Sequence, residues 1–137
     1  MGDQGVGASV QRKEDDRFLR GRGQFVGDIR LAGMKDVAFV RSPLAHAKLH
    51  AVHIPIEHRG KAFAAADLVG VKPIVAVSGL PGFKASEQPV LASQKVRQVG
   101  ELIAMCVGRT RAEAEDIAAS IEVDLEELPA VHDMLAR

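Results

Sequence analysis

The clearest periodicity in the chain lies near its end. Ala114, Ile117, Ala118 and Ile121 recur at i, i+3, i+4 and i+7, which puts one apolar stripe on a helix. Thr110-Arg111-Ala112-Glu113 precedes them as a capping box, in which the Thr110 hydroxyl accepts from the Glu113 N–H and the Glu113 carboxylate reaches back to the Thr110 N–H. Glu113, Glu115 and Asp116 also occupy the first turns, where the helix dipole favours anions. At Ile121 the period changes to two. Ile121, Val123 and Leu125 alternate with Glu122, Asp124 and Glu126, a strand with one wet face, and Pro129 ends it. Ahead of the helix, residues 102–108 are apolar on both faces and predict a buried strand. A strand, a helix and a strand in this order suit a parallel crossover.

Upstream the elements are shorter. Residues 36–41 predict a strand whose Val37-Ala38-Phe39-Val40 centre is too apolar for an exposed edge, and Pro43 breaks it. Residues 47–54 predict a second strand, ended by Pro55, and 61–65 a third, followed by a helical turn at Ala66-Asp67-Leu68. Residues 1–24 read as an irregular arm, with Gly2, Gly5, Gly7, Gly21 and Gly23 against regular structure and one helical turn over 14–20. Residues 69–95 are punctuated by Gly70, Pro73, Gly79, Pro81, Gly82 and Pro89, so only Ile74-Val75-Ala76-Val77 is expected to pair. A loop this long serves a surface or a partner, and it carries Leu80 and Phe83, which a free loop would not expose. The expected organisation is an arm over 1–24 and one domain over 25–137, with no internal repeat.

Composition narrows the function classes. At 137 residues the chain is long enough for an independent core. Five Phe with no Trp or Tyr leave that core to Val, Ile, Leu and Ala. Net charge is zero, which argues against nucleic acid, since phosphates need a basic surface. Missing Trp and Tyr also remove the best stacking platforms for single strands. Basic residues recur over 12–22, interleaved with acids, whereas 112–136 has no Lys or Arg and reads as a solvated acidic face. Cys106 is the sole cysteine, so no internal disulfide forms. No apolar leader opens the chain, and the longest apolar run, 102–107, is too short for a bilayer. A cytoplasmic protein with no membrane partner is the expectation.

Candidate chemistry is sparse. His46, His50, His53, His58 and His132 invite a metal, but extended spacing sends His50 and His53 to opposite faces, so no metal site is expected. Cys106 sits among Ala104, Met105 and Val107, where a thiol acts as a small hydrophobe. Gly5-Val6-Gly7 and Gly21-Arg22-Gly23 lack the strand-then-helix setting of a phosphate cradle. Glu101 starts an apolar strand after Gly100. Partial burial would fit it for acid–base work, or it is a strand-end carboxylate paired with Arg97, Arg109 or Arg41. Arg41 and His46 bracket Pro43, where they bind an anion or a partner's carboxylate, or hold the turn through backbone carbonyls.

Two blocks carry a family likeness: Phe39-Val40-Arg41-Ser42-Pro43-Leu44-Ala45-His46-Ala47 and Lys95-Val96-Arg97-Gln98-Val99-Gly100-Glu101. Ala8-Ser9-Val10, Arg12, Glu14-Asp15, Arg17-Phe18-Leu19, Gly21, Gly23, Phe25, Asp28-Ile29 and Gly33-Met34 come before them. Pro89-Val90-Leu91-Ala92, Thr110-Arg111-Ala112 with Ala114-Glu115, and Glu122-Val123-Asp124 through Leu128-Pro129-Ala130-Val131 complete the order. Together they resemble the opening domain of the large subunit of molybdenum hydroxylases, the xanthine dehydrogenase, aldehyde oxidase and carbon monoxide dehydrogenase family. Departures are Gly27 where an acid is usual, a polar 55–61 connection, and no proline after Glu101.

The resemblance implies an α+β fold, the α/β hammerhead: a mixed sheet, one main helix over about 110–121 and a long irregular loop over about 69–95. The family hydroxylates aldehydes, N-heterocycles or carbon monoxide with oxygen from water, passing electrons from molybdenum through [2Fe–2S] centres and usually to FAD. Its catalytic and pterin-binding residues lie in later domains, so the resemblance assigns no catalytic, cofactor or metal residue here. It implies a piece of an oxidoreductase that is not catalytic alone. Its partners would be a molybdopterin-binding catalytic chain, an iron–sulfur subunit and an FAD subunit. Arg41, His46, Leu80, Phe83 and Glu101 are the candidate interface. Isolated, the chain would self-associate through its exposed loop. Two rival readings are a free-standing binding module that kept the fold without the enzyme, and a small hydrolase or metal enzyme using Glu101 and the histidines.

Overall fold

The computed structural model describes residues 5–9, 12–133 and 135; Val10 and part of the arm expected over 1–24 lie outside them. The chain falls into two compact units, Met1–Met34 and Lys35–Arg137. In the first, α1 (Asp15–Leu19) supplies the helical turn and a 3-10 turn follows at Val26–Asp28. Phe18 and Phe25 stack there with ring centroids 5.6 Å apart.

The second unit is α+β. Its strands are β1 (Asp36–Arg41), β2 (Ala47–His53), β3 (Ala62–Ala64), β4 (Ile74–Val75), β5 (Glu87–Gln88), β6 (Lys95–Val96), β7 (Leu102–Gly108) and β8 (Glu122–Glu127). The main helix, α2 (Arg111–Ala119), lies between the last two. The strands pair antiparallel in three small sheets, ordered β1-β7-β3, β6-β2-β8 and β4-β5.

β7 is the centre of the first sheet, which suits its two apolar faces: Ile103, Ala104, Cys106 and Gly108 are all buried. α2 packs on β1 and β7 through Ala114 and Ile117, the stripe expected from its period. β8 alternates as expected, with Val123 and Leu125 turned inward between exposed acids. Two apolar clusters result. One joins Ala47, Leu49, Ala92, Val96 and Ile103, and the other Ala62, Ala104, Cys106, Ile117 and Ile121. Each fully buried Ile or Val contributes roughly 2 kcal/mol.

Four expectations change. The crossover around α2 is not parallel, because β7 and β8 belong to different sheets. β1 lies at a sheet edge despite its apolar centre: α2 covers the Ala38 and Val40 side, while β3 takes the far side of β7. Val37 and Phe39 are left 44 % and 37 % exposed. His50 and His53 do not point to opposite faces. The β2–β8 register slips between Leu49 and Ala51, and this bulge turns both histidines outward. Finally, the Glu113 carboxylate caps the Arg109 N–H at 2.8 Å, one residue before the expected Thr110, while Thr110 Oγ1 accepts from Glu113 N at 3.2 Å.

Candidate functional site

The two blocks that carried the family likeness are far apart in sequence and adjacent in space. β6 from the second block pairs with Ala47 and Lys48, at the end of the first. Ser42 N donates to Glu101 O at 2.9 Å, and Gly100 N donates to Ser42 O at 2.8 Å. Arg41 Nη1 donates to Gly100 O at 2.9 Å, and its guanidinium lies 5.8 Å from the Phe39 ring centroid. Ser42, which sequence reasoning passed over, is 2 % exposed and closes the corner: its Oγ donates to Leu44 O at 2.8 Å and accepts from Leu44 N at 3.1 Å. Pro43 next door was the available signal, since Ser-Pro marks a turn start.

Glu101 is 6 % exposed, deeper than the half-burial expected. Of the three arginines weighed for it, Arg97 is the partner. Arg97 N donates to one carboxylate oxygen and Arg97 Nη1 lies 3.4 Å from the other. The carboxylate therefore closes the 97–101 turn. Glu101→Ala is expected to cost about 2 kcal/mol, read by urea denaturation, with Glu101→Gln costing less because its oxygen still accepts from Arg97 N. An unchanged midpoint for both would show the carboxylate idle.

His46 serves another junction. Its Nδ1 lies 2.8 Å from Pro129 O, and since a carbonyl only accepts, Nδ1 carries the proton. Leu128 N donates back to His46 O at 2.9 Å. Arg41 and His46 thus hold backbone carbonyls at the two ends of one segment, the turn-holding alternative. His50 donates Nε2–H to Glu126 at 2.8 Å. Among the described residues no three His, Cys, Asp or Glu side chains gather at metal-binding distance. Burial pushes the Cys106 thiol up from its ordinary value, away from the reactive thiolate.

Leu80 and Phe83 lie elsewhere, on the tip of the β4–β5 hairpin. β5 was not foreseen, because Glu87-Gln88 has no apolar signal. The tip is shaped: Phe83 N donates to Leu80 O at 3.2 Å around Pro81-Gly82, and Gly82 has φ of +77°. Pro then positive-φ Gly is the residue order of a type II turn. Ser78 Oγ accepts from Leu80 N at 3.2 Å and steadies the approach. The turn leaves Leu80 71 % and Phe83 43 % exposed, with Val69, Val71, Ile74, Val75 and Val77 also exposed along the same segment. A cleft of about 180 Å³, lined by Leu68, Val71, Pro73, Pro89, Val90 and Leu91, lies at the base of the segment.

One ionic hub ties α2 to its sheet. The Glu113 carboxylate accepts from Lys61 Nζ at 2.8 Å and from the Arg109 N–H. The Lys61 bond first, then the Arg109 N–H, lower its pKa from 4.5 to about 2. A lowered folded pKa stabilises fully above the unfolded value, and that share is lost as pH falls through the folded one. The melting-temperature gap between the native chain and Glu113→Gln is therefore expected to be constant above about pH 4.5 and to close toward pH 2. A gap that persists at pH 2 would contradict this.

Residues 20–129 match the family described as aldehyde oxidase and xanthine dehydrogenase, a/b hammerhead domain. The nicotine 6-hydroxylase large subunit of Paenarthrobacter nicotinovorans is 33 % identical over 93 % of this chain and 16 % of its own length. The carbon monoxide dehydrogenase large chain of Afipia carboxidovorans is 35 % identical over 95 % of this chain and 16 % of its own. The crystal structure of quinoline 2-oxidoreductase from Pseudomonas putida 86 superposes with a TM-score of 0.80 at 41 % identity, covering 89 % of this chain and 16 % of that one. The chain thus spans about a sixth of the relatives it matches. Among the described residues no helix is long and apolar enough to cross a membrane. With the ordered blocks stitched into one corner and the match running across both, the chain belongs to the aldehyde oxidase and xanthine dehydrogenase family of molybdenum hydroxylases, as its hammerhead domain.

Proposed function

We propose that this chain is the non-catalytic hammerhead lobe of a molybdenum hydroxylase and docks on a molybdopterin-binding catalytic chain. The observation that carries this is the apolar hairpin, where Leu80 and Phe83 are held out to solvent on a structured turn. Exposed apolar groups gathered on one segment mark an interaction surface rather than a core. Arg41, His46 and Glu101 are compatible with the same reading: their contacts brace the backbone of the domain that carries the hairpin.

The family's iron–sulfur centres do not suit the side chains here. A [2Fe–2S] centre takes four cysteine thiolates, and this chain has one cysteine, which is buried. The described residues gather no other metal-ligating cluster. The [2Fe–2S] centres are therefore assigned to an iron–sulfur subunit in this proposal, and the family likeness assigns molybdopterin to the catalytic chain and FAD to an FAD subunit. Hydroxylation of the substrate takes place in that assembly, and the lobe completes its fold.

The test is to express the tagged chain in its host and purify it under native conditions. The expected result is a stoichiometric complex with a larger chain that contains molybdenum, with the colour of flavin and iron–sulfur centres. A colourless chain recovered alone would favour the free-standing binding module instead.

A further inference from the structure

Residues 69–88 stand apart from the domain that carries them. Every residue of this run is exposed. Its valines, Ile74, Leu80 and Phe83 all face water, so no apolar burial ties the run down. Neither apolar cluster of the core includes a residue from it. Among the described residues, Lys72, Lys84 and Glu87 make no ion pair.

Its hydrogen bonds close on themselves. Ile74 pairs with Gln88 and Val75 with Glu87, and Ala76 N donates to Ser86 O at 3.1 Å. Leu80 N and Phe83 N are used at the tip, and Val71 N donates to Leu68 O at 3.2 Å. Among the described residues none of these bonds reaches the other two sheets, and β4 and β5 form a sheet of their own. A lone two-stranded hairpin is marginal in water. The anchors lie just outside the run. On one side Asp67 Oδ2 accepts from Ala64 N at 2.8 Å. On the other, Leu91 and Ala92 are buried, and Ala92 N donates to Leu102 O at 2.7 Å. The cleft of about 180 Å³ among Leu68, Val71, Pro73, Pro89 and Leu91 leaves the root of the run unpacked.

We infer that residues 69–88 form an arm that opens and swings independently of the folded body, between anchors at Asp67 and Leu91. Local opening costs least where buried contacts are few and backbone hydrogen bonds meet solvent, and both hold here. Gly70, free of a Cβ, gives the root a place to turn. The Pro81-Gly82 turn is local and travels with the arm. Leu80 and Phe83 are thus re-aimed without disturbing either core cluster. The inference goes beyond the proposed docking and does not need it, because each observation concerns the free chain.

Hydrogen–deuterium exchange of the full chain, read by mass spectrometry, tests it. Amides over 74–88 are expected to exchange within about tenfold of the free-peptide rate. Those of β7 are expected to be slowed by about a thousandfold or more. Limited trypsinolysis gives a second reading. The Lys84–Ala85 bond is expected to be cut at least about tenfold faster than the bonds after Lys48 in β2 and Lys95 in β6. Ile74→Ser combined with Val75→Ser removes the apolar side chains of β4 and is expected to hold the melting temperature within about 2 °C of the native value. Arm amides as slow as those of β7 would overturn the inference. So would a Lys84–Ala85 bond that resists as long as the other two, or a fall in melting temperature of the size that core substitutions cause.

Discussion

Gly108→Ala lowers the melting temperature by about 10 °C, a loss of roughly 3 kcal/mol at the upper end of ordinary overpacking. Gly108 ends β7 where the chain turns into α2. A Cβ there would sit 2.6 Å from Ala114 N, 2.8 Å from Thr110 O and 3.1 Å from Ala114 Cα. All three are backbone atoms, so no side chain can swing away. The helix must move off the sheet, and with it Ala114 and Ile117, which bury the stripe against β1 and β7. Gly79→Ala is the control: it meets nothing within 4 Å, so its melting temperature is expected to stay put or rise slightly. Equal melting temperatures for Gly108→Ala and Gly79→Ala would mean that α2 does not press on the end of β7.

On the proposed docking, Leu80→Ser combined with Phe83→Ser is expected to weaken binding to the catalytic chain by about a hundredfold or more, with the melting temperature unchanged. The two side chains are exposed in the free chain, so folding gains little from them. In a complex they would fill the centre of a contact, where a few anchors dominate affinity. The turn between them matters as well. Pro81 and Gly82 set the backbone before binding, so less freedom is lost on docking. Gly82→Val, which strains the positive φ, is expected to weaken binding while leaving both anchors in place. Isothermal titration separates these effects. Native affinity in the double serine variant would remove the hairpin from the interface.

What the sequence made legible was local. The stripe through Ala114, Ile117 and Ile121, the wet-faced alternation of β8 and the buried run of β7 each have a period, and each was found. What it hid depends on neighbours. Nothing within 36–41 states that β7 lies on one side only, so an apolar strand read as interior proved to be an edge. A single extra residue at His50 reversed the parity of the strand and gathered His50 beside Glu126. Two-residue strands such as β5 and β6 are too short to show a period at all. Among the candidate residues, Glu101 and Arg41 were legible as ionic or turn-holding groups. Ser42 was not, because a small polar residue beside a proline looks like any turn.

The proposed lobe is expected to carry no redox centre of its own. The direct measurement takes the purified 14.6 kDa chain, determines molybdenum and iron by elemental analysis, and assays electron transfer to a dye with aldehyde, N-heterocycle or carbon monoxide as donor. The expected result is neither metal in stoichiometric amount and no turnover, with turnover appearing only alongside the larger chain. Bound molybdenum with steady turnover by the small chain alone would contradict the account.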